Sequence, residues 1–194
     1  MKKKVGLVCI IMGIVLVFGA LSLFLYNQRE AKEAEESVEQ ILPQVIEAIE
    51  ENTQTVPDPY NPEMTKTKID GYDYIGYLTI PDLGLKLPIM DEWDYTRLKI
   101  APCRYYGSMK TDDLVLAAHN YLWHFGRLSK LKIGAKMIFT DMDGVSKSYK
   151  VEEVYVASPY SVEEVTDGEY DLTLFTCTYG GRSRVIVRCM AVER

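Results

Sequence analysis

The sequence predicts an all-β domain that follows a membrane-spanning helix and a helical stalk. Three observations support this prediction. The first is a run of 22 residues without a charge, at 5–26, which is long enough to cross a bilayer as one helix. The second is a series of roughly eight short β-patterned runs after residue 70. The third is the close spacing of turn residues between those runs, which is typical of a β-barrel or a β-sandwich.

The apolar run at 5–26 is interpreted as an uncleaved anchor. The segment after it, Asn-Gln-Arg-Glu at 27–30, lacks the small-residue cleavage site of a signal peptide. The only dense positive cluster, Lys2 to Lys4, lies before the run, and such clusters stay in the cytoplasm. We therefore expect a cytoplasmic tip and anchor at 1–26, with residues 27–194 outside the cell. A cleaved signal peptide is the alternative.

Residues 27–51 are predicted to form a helical stalk. Eight acids and two bases fall within residues 28–51, and apolar residues recur there at helical spacing. Such a helix is either a solvated spacer, which we favour, or a helix whose apolar stripe docks on the domain. Pro43 is expected to kink the helix or to start a second one. The apolar stripe comprises Val38, Ile41, Leu42, Val45, Ile46 and Ile49.

A linker and a β domain complete the chain. Residues 52–69 contain three prolines and few large apolar residues, as linkers do, so the β domain is assigned to 70–194. Strands are predicted at 74–80, 85–90, 114–118, 136–140, 148–157, 172–177 and 184–189. Short helical turns are predicted at 93–100, 125–131 and 161–165.

Charge and cysteine content limit the function classes. The net charge is −6 and the β domain has no basic excess, so no nucleic-acid partner is expected. Three cysteines lie outside the anchor, Cys103, Cys177 and Cys189, and an odd number leaves at least one thiol unpaired within the chain. Cys103 and Cys189 are interpreted as buried small hydrophobic residues, with a disulfide between them as the alternative. No zinc-site spacing is present, and no metal or cofactor is expected.

The run at 171–188 predicts a hairpin that brings a thiol and a cation together. Cys177 ends the first strand of this hairpin, on the face that carries Phe175. A Gly-Gly pair at 180–181 is a turn signal, and Arg184 begins the next strand. If the two strands pair, the thiol of Cys177 and the guanidinium of Arg184 can be neighbours. A cation beside a thiol favours the thiolate, which is the form that attacks carbonyl carbons.

A cysteine nucleophile also needs a group that transfers protons, and the chain has two histidines, His119 and His124. His119 directly follows the predicted strand at 114–118, so we take it as the candidate general acid and base. Arg184 could stabilise the oxyanion of a tetrahedral intermediate. From spacing alone, Cys177 could equally be a core cysteine, His119 a turn histidine and Arg184 a solvated charge.

Three motifs in order resemble the sortases, the cysteine transpeptidases of Gram-positive cell surfaces. Leu-Thr-Leu-Phe-Thr-Cys at 172–177, followed by Arg-Val-Ile-Val-Arg at 184–188, is similar to the nucleophile strand and the arginine strand of that family. Leu-Ala-Ala-His-Asn at 116–120 resembles the histidine motif. Ile-Gly-Tyr-Leu-Thr-Ile-Pro at 75–81 resembles the first barrel strand. The resemblance covers residues 71–194.

The resemblance implies an eight-stranded closed β-barrel with short helices, and a catalytic triad of His119, Cys177 and Arg184. Such an enzyme, of the cysteine-peptidase class, cleaves a sorting motif of the Leu-Pro-x-Thr-Gly kind between Thr and Gly. It holds the acyl chain as a thioester on Cys177. It then transfers the chain to an amine of a peptidoglycan precursor or of another surface protein. Thr176 is expected to pack or hydrogen-bond beside the site.

Some features leave alternatives open. Arg182 competes with Arg184 for the arginine role because the spacing to Cys177 is short. The His119-Asn120 pair resembles class B, but the segment between the strand at 148–157 and Cys177 is short for the long helix of that class. The lack of a C-terminal membrane segment argues against class C, although Asp-Pro-Tyr at 58–60 faintly resembles its lid. A non-catalytic binding module and a purely hydrolytic protease are the competing functions.

Overall fold

The computed structural model describes residues 2–53 and 63–192. Within these ranges a long helix, α1 (Lys2–Asn52), precedes nine strands and a single-turn helix, α2 (Val162–Val165). The strands are β1 (Thr67–Ile69), β2 (Tyr72–Ile80), β3 (Leu85–Met90), β4 (Cys103–Tyr106), β5 (Leu114–Ala118), β6 (Lys136–Asp141), β7 (Ser146–Ala157), β8 (Leu172–Cys177) and β9 (Arg184–Ala191). Short 3₁₀ turns span Pro81–Leu83, Arg97–Lys99 and Leu128–Lys130.

The sheet closes on itself. Its strand order is β1-β2-β3-β4-β5-β8-β9-β7-β6, and β2 also pairs with β6. The closed ring within the described chain therefore contains the eight strands β2 to β9, and β1 is a short arm on β2. Side chains that point into this ring, such as Leu78, Leu116 and Leu174, are fully buried. The prediction of an eight-stranded closed barrel is confirmed.

Two strands fall outside the predicted set. The strand β4 contains Arg104 among four residues, so its pattern does not alternate clearly between apolar and polar. The strand β1 has three residues and lies within the segment predicted to be a linker at 52–69. The sheet therefore begins three residues before the boundary that we placed at residue 70. Residues 54–62, which include the Asp-Pro-Tyr segment, lie outside the described residues.

Pro43 lies inside the continuous helix α1, so the predicted start of a second helix at this point is wrong. Proline removes one N–H donor from a helix, here the donor that would reach the carbonyl of Glu39. Because Pro43 is exposed, water can solvate that carbonyl. The helix packs on the barrel before and after this point, which offsets the loss.

The second half of α1 docks on the barrel, so the stalk is not the solvated spacer that we favoured. Its buried residues are Ala34, Val38, Ile41, Val45 and Ile49. They repeat at the spacing of one helix face, and all of them except Ala34 join the apolar clusters of the barrel. A solvated spacer would leave this stripe in water, whereas burial stabilises each aliphatic side chain by about 1.5–3 kcal/mol.

Both ends of the docked half of α1 are held by polar or close contacts. Near its start, Glu30 Oε1 accepts a hydrogen bond from Lys99 Nζ at 2.7 Å. At its end, Asn52 Nδ2 donates to the carbonyl of Met142 at 3.2 Å. The turn between β6 and β7 approaches the helix so closely that a Cβ on Gly144 would lie 2.4 Å from Thr53 Cγ2. The helix therefore runs from Lys99 to the β6–β7 turn.

The first half of α1 leaves the barrel. Residues 6–28 are exposed along their whole length. Within the part of the chain that the structure describes, α1 is the one helix that is long and apolar enough to cross a membrane. The helix is thus continuous from a candidate membrane span into a segment that is packed on the barrel.

Candidate active site

The parallel pair β5 and β8 places the candidate histidine beside the candidate cysteine. Their register aligns Ala118 with Thr176, so His119 and Cys177 are the next residues at the same edge of the sheet. The Thr176 hydroxyl donates a hydrogen bond to the Ala118 carbonyl at 2.8 Å, as expected for a residue that supports the site. This buried hydrogen bond ties the two strand ends together.

The antiparallel hairpin of β8 and β9 places Arg184 directly opposite Cys177. The turn between them is closed by the Thr178 N–H, which donates to the Ser183 carbonyl at 2.9 Å. Two consecutive glycines with φ of 83° and 73°, at 180 and 181, let the chain reverse there. Arg182 is exposed in this turn and does not line the pocket, whereas Arg184 does.

The guanidinium of Arg184 is partly tethered by its own turn. Its Nη1 donates to the carbonyls of Gly181 and Ser183, each at 3.2 Å. Among the described residues, its Nε and Nη2 have no protein acceptor. Because the guanidinium is a planar fork of donors, these free N–H groups can bind an oxygen of a substrate.

His119, Cys177 and Arg184 line one pocket with a volume of about 220 Å³. Its other lining residues are Trp93, Tyr95, Leu98, Tyr105, Ala117, Ala118, Ser158, Pro159, Ser161, Val165, Phe175, Thr176 and Ile186. One wall is aromatic: the ring centroids of Trp93 and Tyr105 are 5.2 Å apart, and those of Tyr105 and Phe175 are 5.0 Å apart. The site therefore combines three polar groups with a mainly apolar wall.

The connection between β7 and β8 also contributes residues to the pocket, and Arg188 holds this connection in place. This side chain is only 8% exposed, and its Nη2 donates to Asp167 Oδ2 at 3.2 Å and to the carbonyl of Glu164. Its guanidinium lies 4.8 Å from the ring centre of Tyr170. Sequence reasoning missed this role, although Arg188 alternates with Arg184 on one face of its strand.

The environment of His119 favours a neutral imidazole. Burial lowers the pKa of His119, the negative charge of Glu30 opposes this effect, and the positive charge of Lys99 reinforces it. Both of these charges reach the histidine from outside the barrel strands, since Glu30 lies on α1 and Lys99 on a 3₁₀ turn. The ring of Tyr121 packs 5.0 Å from that of His119.

The remaining cysteines and the second histidine lie outside the pocket. Cys103 and Cys189 are fully buried and free, so the alternative disulfide between them is not formed. Burial raises the pKa of Cys103 to about 12 and also raises that of Cys189. Burial lowers the pKa of His124 to about 4. Neither thiol is suited to form a thiolate near neutral pH.

Comparisons with solved structures find the same fold in several sortases. Sortase C1 from Streptococcus suis is 28% identical, with 62% of this chain and 74% of that chain covered and a TM-score of 0.53. Sortase A from Corynebacterium diphtheriae is 19% identical, covering 89% and 96%, with a TM-score of 0.58. A sortase D5 transpeptidase from Clostridium perfringens is 18% identical, covering 84% and 99%, with a TM-score of 0.59. A search of curated proteins gave no match.

These similar structures belong to three different sortase classes, so the subclass of this chain stays open. The connection between β7 and β8 holds the single turn of α2 where the class B resemblance implies a long helix. The family itself is shown by a match to a family model. The model of the Sortase domain matches residues 78–192, which include the last three residues of β2 and all of β3 to β9. The chain belongs to the sortase family.

Proposed function

Sortase-family members are cysteine transpeptidases, and we propose specific roles for three residues of this chain. Cys177 is the nucleophile, His119 transfers protons and Arg184 stabilises the oxyanion. The observation that supports this assignment is the convergence of all three side chains on one pocket, from the ends of β5, β8 and β9. The other two cysteines of the barrel are buried away from that pocket.

In the first half of the reaction, the neutral imidazole of His119 takes the proton of the Cys177 thiol. The sulfur attacks the carbonyl carbon of the scissile peptide bond and forms a C–S bond. The carbonyl oxygen becomes an oxyanion, towards which the free N–H groups of Arg184 can point. When the C–N bond breaks, the imidazolium of His119 gives its proton to the leaving amine. The product is a thioester on Cys177.

In the second half, an acceptor amine replaces the leaving group. His119 is neutral again after the first half, so it takes a proton from the attacking amine. A C–N bond forms, the C–S bond breaks and the imidazolium of His119 returns its proton to the Cys177 sulfur, which restores the thiol and the neutral imidazole. Water can attack the same thioester, so exclusion of water by the apolar pocket wall favours transfer over hydrolysis.

The proposed donor substrate is a surface protein with a sorting motif of the Leu-Pro-x-Thr-Gly kind, cleaved between Thr and Gly. The aromatic wall formed by Trp93, Tyr105 and Phe175 suits the apolar first residues of such a motif. The proposed acceptor is an amine of a peptidoglycan precursor or of another surface protein. These substrates follow from the family resemblance, and the pocket is compatible with them.

The proposed location is the cell membrane of a Gram-positive bacterium, with the barrel outside. The exposed apolar half of α1 supplies the single-pass anchor, and Lys2 to Lys4 keep its N-terminus in the cytoplasm. A reporter that is active only outside the cell should therefore signal when it is fused to the C-terminus. Signal from a reporter that is active only in the cytoplasm would contradict this orientation.

The reaction is tested on the full chain in detergent micelles. The protein is incubated with a library of sorting-motif peptides and with candidate amines, and the products are identified by mass spectrometry. We expect a ligated product that joins the Thr of one peptide to one amine. Release of free acid with every amine would support the hydrolytic protease, and no cleavage of any peptide would support the binding module.

A further inference from the structure

The direction of α1 places the active-site end of the barrel nearest to the end of the apolar run. The first docking contacts of the helix are at Glu30 and Ala34, beside Lys99 and the loop that follows His119. Its last contact is at Thr53, beside Gly144 in the β6–β7 turn. At about 1.5 Å per residue, the helix rises roughly 35 Å between Glu30 and Thr53.

The loop after His119 lies close to the end of the apolar run at Tyr26. Glu30 is four residues beyond Tyr26, which corresponds to a rise of about 6 Å. The interfacial layer on each side of a bilayer is about 5–8 Å thick, given a hydrocarbon core of roughly 30 Å within a total of 40–45 Å. Residues 28–31 of α1 lie about 3–8 Å beyond Tyr26 and therefore fall within that layer, so a protein segment that packs on α1 from residue 28 onward reaches it.

The loop presents large apolar side chains at this level. Leu122 is 56% exposed and Trp123 is 41% exposed. Both border a shallow groove whose other side is formed by residues 28–35 of α1, including Arg29 and Lys32. The loop is also held in place, because Arg127 Nε donates to the Leu122 carbonyl at 3.1 Å and the Arg127 guanidinium lies 5.3 Å from the Trp123 ring centre.

A second exposed aromatic residue lies near the same end of α1. Tyr95 is 73% exposed and precedes the 3₁₀ turn that carries Lys99, the partner of Glu30. It also lines the pocket of Cys177. Apolar side chains that are grouped on a protein surface often mark an interaction site, and tryptophan and tyrosine are favoured at the headgroup level of a membrane.

We propose that Leu122, Trp123 and Tyr95 form a membrane-docking face that inserts into the headgroup layer of the bilayer that anchors α1. The occupant of this face is the lipid surface itself. The face continues the anchor, since Leu122 and Trp123 share a groove with the first turns of α1 beyond the apolar run. The pocket of Cys177 then opens at the membrane surface, where it meets substrates that are themselves held in the membrane.

This inference rests on the membrane anchor of the proposed function, and it is tested with the full chain in phosphatidylcholine nanodiscs. The chain has two tryptophans, Trp93 and Trp123, so Trp93→Phe leaves Trp123 as the single emitter. We expect Trp123 to lose most of its fluorescence when some lipids carry a spin label on the headgroup. We also expect iodide in the water to quench it weakly.

The matched control carries its tryptophan at the opposite end of α1. Val145 is 48% exposed in the β6–β7 turn, next to Gly144 and Thr53. In a chain with Trp93→Phe, Trp123→Phe and Val145→Trp, the new tryptophan should keep its fluorescence with labelled lipids and should be quenched by iodide.

The outcomes separate the docking face from the anchor and from catalysis. Unquenched Trp123 in a protein that stays bound to the nanodiscs overturns the docking face while the anchor stands. Equal quenching at positions 123 and 145 also overturns it, because the barrel then lies flat on the bilayer. A protein that does not enter the nanodiscs overturns the anchor and the docking face together. Absence of peptide ligation by the unsubstituted chain, with Trp123 quenched in the Trp93→Phe variant, leaves the docking face in place and contradicts only the catalytic proposal.

Discussion

The two ends of the β8–β9 ladder each carry a cysteine in a different environment. At one end Cys177 pairs with Arg184, and at the other Cys189 pairs with Leu172. Cys177 lies at a strand end on the outer face and lines the pocket. Cys189 lies on the inner face, is fully buried, and has its sulfur 3.7 Å from that of Met137.

The difference between these ends shows how one sheet supports both chemistry and stability. Alternation of side chains directs Cys189 into the barrel, where burial raises the pKa of its thiol. The side chain of Cys177 is on the opposite face of the sheet, at the end of its strand. The loop that carries His119 and the connection between β7 and β8 can therefore surround it. The two cysteines therefore differ in the face of the strand that they occupy and in their distance from the strand end, and not in residue type.

The largest loss of activity is expected from His119→Ala, because this substitution removes the proton-transfer group beside Cys177. General acid–base catalysis contributes roughly 10²–10⁴ in rate, and kcat/KM for peptide ligation should fall by that factor. His124→Ala is the comparison: any effect should appear in thermal stability, since His124 is buried outside the pocket. Equal losses of ligation in two folded variants would contradict the role of His119.

The hairpin register is tested by a pair of arginine substitutions. Arg184→Lys keeps the charge but removes the planar fork, so kcat/KM should fall by about 10²–10³, the usual cost of a lost oxyanion donor. Arg182→Lys should change it little because Arg182 is exposed in the turn. Both variants should unfold at the temperature of the parent chain. If Arg182→Lys were the impaired variant, Arg182 in the turn, and not Arg184, would be the residue that stabilises the oxyanion.

A smaller effect is expected from Glu30→Gln on the docked helix. The negative charge of Glu30 raises the pKa of His119 against the effect of burial, so its removal lowers that pKa. The reaction needs the neutral imidazole, and the acidic limb of the kcat/KM profile should therefore move to lower pH. Lys99→Met should move it to higher pH, because the positive charge of Lys99 lowers the pKa.

The matched control for this pair is Glu33→Gln. Glu33 lies on the same helix and pairs with the exposed Arg29 at 2.7 Å, and it is absent from the charges that shift His119. Its pH profile should overlay that of the parent chain. Shifts of one sign in the Glu30 and Lys99 variants would show that the helix acts by packing rather than by charge.

The smallest effect on activity is expected from Cys189→Ala, at the buried end of the β8–β9 ladder. The substitution removes a buried sulfur, and the free energy of unfolding should fall by about 0.5–3 kcal/mol, the usual range for single substitutions. Peptide ligation below the unfolding temperature should stay near that of the parent chain. Loss of ligation with an unchanged fold would mean that Cys189 also takes part in the reaction.

The sequence predicted the strands of the site well because their patterns end sharply. Residues 114–118 and 172–177 were assigned with the bounds that the structure has, and the Gly-Gly turn pointed to the pairing of Cys177 with Arg184. The nearness of His119 could not follow from local pattern, since β5 and β8 are far apart in the chain. That expectation came from the resemblance to sortases.

The features that the sequence did not predict arise from contacts between elements that are far apart in the chain. The docking of α1 was the alternative that we did not favour, because an apolar stripe on an acidic helix looks the same with or without a partner surface. For the same reason the influence of Glu30 on His119 was not foreseen. The role of Arg188 in holding the β7–β8 connection was missed because its partners, Glu164 and Asp167, precede it by more than 20 residues and their contact with β9 is tertiary.

The assignment of Cys177 as the nucleophile is tested most directly by locating the acyl group of the acyl-enzyme with peptide mass spectrometry. The full chain is mixed with a cleavable sorting-motif peptide without an acceptor amine, quenched in acid and digested. The account predicts an acyl adduct on the peptide that contains Cys177, and no adduct in Cys177→Ala. It also predicts the same adduct in Cys103→Ala and in Cys189→Ala. An adduct that persists in folded Cys177→Ala, or that maps to Cys103 or Cys189, would contradict it.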